Sequence, residues 1–168
     1  MSDTTDEPTS SAFQQVMSRC ATGVTVMTCI HDDEPHGMTA NAVSSVSLDP
    51  LLVLVCVGHD TEMRRLVRDA GHFALSMLPA QAETLSNHFA DASRPSGDAQ
   101  FEGVETHTAV TGAPLLDGAL AWVDCRVWKV HDGGDHDIVV GEVVACDTGT
   151  DAPALGYYRS GYTTIAAP

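Results

Sequence analysis

Two long strand-like segments on either side of a Gly-Gly pair constrain the fold of this chain more than any other feature. Residues 120–132 and 136–148 are rich in Val and other residues that favour strands, and Gly133 and Gly134 lie between them. Glycine accepts the backbone angles that tight hairpin turns need, so this pattern predicts an antiparallel β-hairpin. The C-terminal half of the chain is therefore predicted to be β-structure.

The rest of the pattern predicts more strands than helices. Apolar runs rich in β-branched residues predict strands at 23–30, 51–57 and 72–78. Helical spacing and capping residues predict short helices at 11–20, 60–71 and 80–91. Turn-forming residues predict a break at 31–37. Because no βαβ alternation repeats, we expect a mainly β fold: an antiparallel, Greek-key-like barrel, closed or partly closed, with short connecting α-helices.

The composition is that of one globular domain, which we place at residues 11–168. The 168-residue chain has 43% hydrophobic and 18% charged residues, which is enough to build a core. Residues 1–10 are polar and acidic and are predicted to be a disordered lead, since they lack the features of a signal peptide. No apolar run approaches the roughly 20 residues of a membrane helix, so we expect a soluble, cytoplasmic protein with no membrane partner.

The charge of the chain argues against binding to nucleic acid. Its 23 acidic and 8 basic residues give a formal net charge of −15, whereas binding to phosphate backbones needs clustered Lys and Arg. Five cysteines without a Cys-x-x-Cys pair predict buried free thiols. The eight histidines show no standard zinc spacing, so no metal site is expected. The acidic excess fits either a high-salt habitat or ordinary solubility.

A run of small polar residues precedes the strand predicted at 51–57. It contains Thr39, Asn41, Ser44, Ser45 and Ser47. Small side chains let a flat ligand approach the backbone, and hydroxyl and amide groups can receive a phosphate without many cations. In a continuous strand, Thr39 and Asn41 would lie on one face. The run therefore fits a site for a phosphorylated planar cofactor, or else an edge strand followed by a Ser-rich turn.

Several segments in register carry a more specific resemblance. They read "ATGVTVMT", "HGMTANAVSSVSLDPLLVLVCV", "HFADAS", "FEGV", "PLLDGALAWVDCRV", "GGDHDIVVGEVV" and "YYRSGY". Over roughly residues 11–163 the chain resembles the short-chain flavin reductases of two-component monooxygenases. This resemblance implies an FMN-binding split β-barrel, usually a homodimer, that reduces FMN or FAD with NADH or NADPH. It also implies a separate flavin-dependent oxygenase as partner.

The resemblance also assigns residues to the flavin. The edge of the isoalloxazine ring is expected against Met38, Thr39, Ala40, Asn41 and Ala42. The phosphate side is expected at Ser44, Ser45, His59, Asp60, Thr61 and Arg65, where the start of a helix adds a favourable dipole. Phe101 is a further candidate for flavin contact. Where relatives commonly carry a basic residue before this Phe, the chain has Gln100, which brings no positive charge for a phosphate.

The nicotinamide side is assigned in the same way. His136 falls where the family has a histidine facing the nicotinamide, and it is the candidate catalytic residue. It could position the carboxamide or supply a proton, and we favour positioning. The C-terminal segment that lines this side falls on Tyr157, Tyr158, Arg159 and Ser160.

Two other functions also fit these features. The same barrel could bind flavin or haem without turnover, or a reductase could pass its electrons to iron. Trp122 and Trp128, six residues apart in one strand, are expected in the core or in a dimer interface. The predicted nicotinamide face favours the flavin reductase, since a storage protein has no need of one.

Overall fold

The computed structural model describes residues 7–166. Its helices are α1 (Ser10–Met17), α2 (Glu62–Ala70) and α3 (Glu83–Ala90), with short 3₁₀ segments at Ala80–Ala82 and Gly97–Phe101. Its strands are β1 (Thr22–Gly23), β2 (Thr25–His31), β3 (Glu34–Ala40), β4 (Val43–Leu48), β5 (Leu51–Gly58), β6 (His72–Met77), β7 (Thr106–His107), β8 (Leu115–Leu116), β9 (Ala121–Asp132), β10 (His136–Thr148), β11 (Ala154–Tyr158) and β12 (Gly161–Ile165). The mainly β fold with short connecting helices is confirmed.

Seven strands form one antiparallel sheet in the order β3-β2-β6-β9-β10-β5-β4. The two edge strands, β3 and β4, are joined by only Asn41 and Ala42. A connection of two residues cannot cross an open seven-stranded sheet, because strands lie about 4.8 Å apart. The sheet must therefore curl until its edges approach each other, which agrees with the predicted barrel-like fold. The predicted hairpin of β9 and β10 forms its longest strand pair.

Helix α2 packs on the main core and fixes the end of β5. Its Met63, Leu66 and Val67 are buried against the cluster that contains Val57 and Phe73. Thr61 is the N-cap and Gly71 ends the helix with a φ of 70°, so the helix agrees with the predicted range 60–71. The start of α2 therefore lies directly after β5.

A second core lies under a small sheet of β1, β11 and β12. Val24, Phe89 and Leu155 are among its buried residues. The β11–β12 hairpin turns at Arg159 and Ser160, which have φ angles of 50° and 60°. This hairpin brings aromatic side chains of its two strands beside α3.

Several local predictions were wrong. The break predicted at 31–37 is limited to a turn at Asp32 and Asp33, and β3 begins at Glu34. Asn41 and Ala42 belong to no strand, so the predicted continuous alternation from Thr39 onward does not hold. The predicted burial of the cysteines fails for Cys20 and Cys146, which are exposed. The lead predicted at 1–10 lies mostly outside the described residues, and α1 already begins at Ser10.

Within residues 7–166, no helix combines the length and the apolar character needed to cross a membrane.

Candidate functional site

Two adjoining cavities open where the edge strands of the large sheet approach each other. The larger has a volume of about 740 Å³ and the smaller about 230 Å³. Both are lined by Met38, Thr39, Asn41, Asp60 and Thr61. The walls thus come from the end of β3, from the β3–β4 connection and from the start of α2. The larger cavity falls within the size range of small-molecule sites.

The β3–β4 connection is pinned on both sides of Asn41. The Thr25 hydroxyl donates to the Ala40 carbonyl oxygen at 2.8 Å, and the Cys56 amide donates to the Ala42 carbonyl oxygen at 3.0 Å. The Asn41 side chain has no hydrogen-bond partner among the described residues. Its amide is therefore available to a ligand in either cavity.

The β5–α2 corner brings polar groups to the smaller cavity. The Thr61 hydroxyl donates to the Gly58 carbonyl oxygen at 2.8 Å and accepts from the Arg64 amide at 3.3 Å. A Cβ atom at Gly58 would lie 3.1 Å from Oδ1 of Asp60 and 3.7 Å from Nε2 of His136. The absence of a side chain at Gly58 thus leaves room for these two side chains to approach the same stretch of backbone.

His136 stands at the start of β10, paired with Gly58 of β5. Its Nδ1 lies 2.7 Å from Oδ1 of Asp135, and its side chain is 48% exposed. The hydrogen bond with His136, together with the charge of His136, lowers the pKa of Asp135. A carboxylate partner favours a proton on Nδ1, which leaves Nε2 of a neutral His136 as an acceptor toward the cavity.

A buried carboxylate next to His136 ties β10 to α2. Asp137 is 2% exposed and accepts from Arg64 Nε at 2.9 Å and from Arg68 Nη2 at 2.7 Å, and it lies 3.1 Å from His59 Nε2. Burial alone would raise the pKa of Asp137, but the hydrogen bonds from Arg68 and Arg64 and their charges outweigh it and lower the pKa. This Asp137 cluster fixes α2 relative to the start of β10.

Beside the larger cavity, β3 is held by a buried glutamine. Gln100 is 0% exposed; its Oε1 accepts from the Gly37 amide at 2.8 Å, and its Nε2 donates to the Pro35 carbonyl oxygen at 3.1 Å. Phe101 packs on Phe89 at a ring distance of 5.2 Å and lines neither cavity. Gln100 therefore supports the cavity wall and offers nothing to a ligand.

His36 follows Pro35 on β3 and lines the larger cavity. Its Nε2 lies 3.3 Å from Arg94 Nη2, and its Nδ1 lies 3.4 Å from Gln100 Nε2. Burial and then the charge of Arg94 lower the pKa of His36 to about 4, against a smaller opposing effect of Glu62. His36 is thus neutral at neutral pH.

The structure brings together about half of the residues that the resemblance assigned. The cavities are lined by Met38, Thr39, Ala40, Asn41, Ala42, Asp60, Thr61, His136 and Tyr157. The remaining predicted residues line neither cavity: Ser44, Ser45, His59, Arg65, Phe101, Tyr158, Arg159 and Ser160. Contact of these eight with a ligand stays a prediction.

Several of these eight side chains are exposed or make contacts elsewhere. Ser44 and Ser45 are exposed on β4, and Arg65 is exposed on α2 in ion pairs with Glu62 and Asp69. The guanidinium of Arg159 lies 5.3 Å from the ring centroid of Tyr158. His59 belongs to the Asp137 cluster.

Sequence reasoning missed several residues of the larger cavity. They are Val24, His36, Glu62, Phe89, Ala90, Ala92, Arg94, Pro95, Ser96 and Tyr162. The rings of Tyr162 and Tyr157 are paired across β11 and β12 at 5.6 Å, so recognition of that hairpin would have placed both side by side. The 90–96 loop shows no periodic pattern that could have predicted its place.

Comparisons with known proteins agree on one family. The family model described as "Flavin reductase like domain" matches residues 17–166. The chain is 45% identical over 143 residues to an NADH-dependent FAD reductase of Streptomyces globisporus, covering 84% of this chain and 76% of that protein. It is 36% identical over 157 residues to the reductase component of 4-hydroxyphenylacetate 3-monooxygenase of Thermus thermophilus, covering 94% and 97%.

A solved structure has the same fold. BorF, the flavin reductase component of a bacterial two-component tryptophan halogenase, superposes with a TM-score of 0.88 at 39% identity. The match covers 95% of this chain and 100% of BorF. Family and fold therefore rest on whole-domain similarity.

Proposed function

Since the chain belongs to the flavin reductase-like family, we propose that it is an NAD(P)H-dependent flavin reductase that supplies reduced flavin to a separate oxygenase. The observation that carries the proposal is the pair of adjoining cavities, which the predicted flavin-side residues 38–42 and the predicted nicotinamide residue His136 line together. A site for hydride transfer between two planar rings needs such a junction.

The residues of the cavities fit a flavin. The larger cavity combines aromatic walls from Phe89, Tyr157 and Tyr162 with the free amide of Asn41, and it admits a ring system together with a polar tail. When bound, flavin supplies the hydride-accepting chemistry of the reaction. The protein then has to hold the two rings about 3 to 3.5 Å apart and exclude side reactions.

We assign His136 a positioning role. Asp135 holds Nδ1, so Nε2 is left to accept a hydrogen bond from the nicotinamide carboxamide in the smaller cavity. The flavin is then held by Met38, Asn41 and Thr61, which line both cavities. Both FMN and FAD, and both NADH and NADPH, are candidates, with NADH and FAD favoured by the name of the Streptomyces relative.

The partner proposals rest on relatives and on exposed surface. The relatives named as reductase components of a monooxygenase and a halogenase support a separate flavin-dependent partner. Phe13 and Val16 of α1 are 61% and 65% exposed, and Trp128 is 53% exposed, so a second copy of the chain would bury large apolar side chains. We therefore propose a homodimer, tested by light scattering, which should return about twice 17.7 kDa. A cytoplasmic location stays a prediction.

Steady-state kinetics test the activity. The purified protein should oxidise NADH or NADPH when free FMN or FAD is added, followed as loss of nicotinamide absorbance. Flavin binding without any flavin-dependent oxidation of either nucleotide would favour the storage function instead. Transfer to an oxygenase should need only reduced flavin, while reduction of ferric iron in the absence of oxygen tests the third alternative.

A further inference from the structure

Arg94, the arginine that lines the larger cavity, forms no ion pair with a carboxylate of residues 7–166. On α2, Arg64, Arg65 and Arg68 each form an ion pair with a carboxylate. Arg94 lies on the loop after α3 and lines the larger cavity, yet among residues 7–166 no carboxylate oxygen lies within 4.0 Å of its guanidinium nitrogens. In a chain with 23 acidic and 8 basic residues, a cavity arginine without an ion pair is unexpected.

Neutral acceptors hold the Arg94 guanidinium in place. Nη1 donates to the Asp91 carbonyl oxygen at 2.7 Å, and Nη2 donates to the Gly37 carbonyl oxygen at 2.6 Å. Nη2 also lies 3.3 Å from Nε2 of His36. Burial lowers the pKa of Arg94, because its charge is partly removed from water, and the charge of Asp91 opposes this more weakly. The side chain is thus oriented in advance while its positive charge remains available to a ligand.

The other charged side chains of the larger cavity are acidic, so the charge of Arg94 matters for binding an anionic ligand. Asp60 and Glu62 line the same cavity, and within the described part of the chain Arg94 is its only Lys or Arg. Arg65, which the resemblance assigned to the phosphate side, does not line this cavity and is paired with Glu62 and Asp69, and the buried Gln100 brings no charge. Without Arg94, the charged side chains of the cavity would repel a phosphate.

We propose that Arg94 binds a phosphate group of the ligand in the larger cavity. Ser96, on the same loop, and Asn41 can add hydrogen bonds from a hydroxyl and an amide. The phosphate belongs either to the flavin nucleotide or to the pyrophosphate of the nicotinamide dinucleotide. This inference rests on the proposed flavin reductase function.

Riboflavin has the isoalloxazine ring but no phosphate, so a comparison with FMN separates recognition of the phosphate charge from the fit of the ring to the cavity. Fluorescence titration gives the Kd of FMN and of riboflavin for the wild type, Arg94→Gln and Arg94→Lys. Arg126→Gln serves as the matched control, since Arg126 is exposed on β9 and lines neither cavity. A charge-assisted hydrogen bond corresponds to about 10- to 100-fold in Kd.

We expect Arg94→Gln to weaken FMN binding by about 10- to 100-fold while riboflavin binding changes less than about twofold. Arg94→Lys should retain part of the FMN affinity, and Arg126→Gln should retain all of it. Equal losses for FMN and riboflavin would show that Arg94 only supports the loop, and would overturn the proposal.

A second arm identifies the source of the phosphate. With riboflavin as electron acceptor, the KM for NADH is measured for the wild type and for Arg94→Gln. A KM that rises about tenfold while FMN affinity is unchanged assigns Arg94 to the nicotinamide pyrophosphate. Unchanged FMN affinity together with unchanged KM overturns the proposal. A wild type that binds FMN but oxidises no NADH contradicts the proposed function instead, because the titration does not depend on turnover.

Discussion

His36 should make the stability of the fold depend on pH in a way that can be measured. The pKa of His36 is about 4 in the folded protein, because of burial and the neighbouring Arg94, against about 6.5 in an unfolded chain. Below about pH 6.5 the unfolded chain therefore binds a proton that the folded protein does not, so stability falls as the pH falls. This contribution is fully present above that pH and is lost progressively down to about pH 4.

The size of the effect follows from the two pKa values. At about pH 5, which is about 1.5 units below the pKa of His36 in the unfolded chain, protonation of His36 favours the unfolded state by about 2 kcal/mol. Urea denaturation of the wild type and of His36→Gln at about pH 7.5 and about pH 5 measures this difference. The wild type should lose about 2 kcal/mol more than His36→Gln between these two conditions.

The comparison removes the titration of the many carboxylates, because both proteins share them. His131→Gln is the matched control, since His131 is exposed near the end of β9, and its pH dependence should follow that of the wild type. The opposing charge of Glu62 and the further effect of Arg65 are included in the shift. If the wild type and His36→Gln lose the same free energy between the two pH values, the reasoning from burial is wrong.

Three further perturbations test the site and its support. Asp137→Asn should lower the free energy of unfolding by about 2 kcal/mol. This is less than the usual cost of breaking a buried ion pair, because Arg64 and Arg68 can turn to water. Urea denaturation measures the loss, with the exposed Asp151→Asn as control. His136→Ala should raise the KM for NADH about 3- to 10-fold with unchanged flavin Kd, and equal losses in both would remove the nicotinamide assignment. Gly37→Ala should cost about 1 to 3 kcal/mol, because its Cβ would lie 2.5 Å from the Phe89 ring. Thermal melting should show this loss for Gly37→Ala and little change for the control Gly23→Ala, whose added Cβ has nothing within 4 Å.

Patterns that repeat along the chain predicted their elements well. The β9–β10 hairpin follows from two long runs with glycines between them, and α2 follows from helical spacing and the capping residues at its ends. The seven-stranded order could not be read in this way, because it depends on pairing between distant segments. Only the resemblance to a known family supplied the barrel in detail.

The site residues likewise fall into those that the sequence indicated and those that only the structure shows. Residues 38–42, which the resemblance assigned to the flavin, line the cavities, since they comprise the end of β3 and the two-residue connection to β4. The resemblance also assigned Arg65 to the phosphate side, but on α2 its side chain is paired with Glu62 and Asp69. Arg94 lies in an irregular loop, and neither periodicity nor spacing determines where a loop packs.

Buried polar groups around the cavities explain how connections without regular structure can form a precise site. Gln100 and Ser86 are 0% exposed and Asp137 is 2% exposed, and each bonds an element of the cavity wall. Ser86 accepts from the Thr39 hydroxyl at 2.6 Å through its carbonyl oxygen, and its own hydroxyl lies 2.8 Å from that of Tyr162. Such groups are costly to bury unless their partners stay in place, so they hold the backbone in one arrangement. Because ring-to-ring hydride transfer depends on distance more than on titrating groups, the wall should be formed before the ligand arrives.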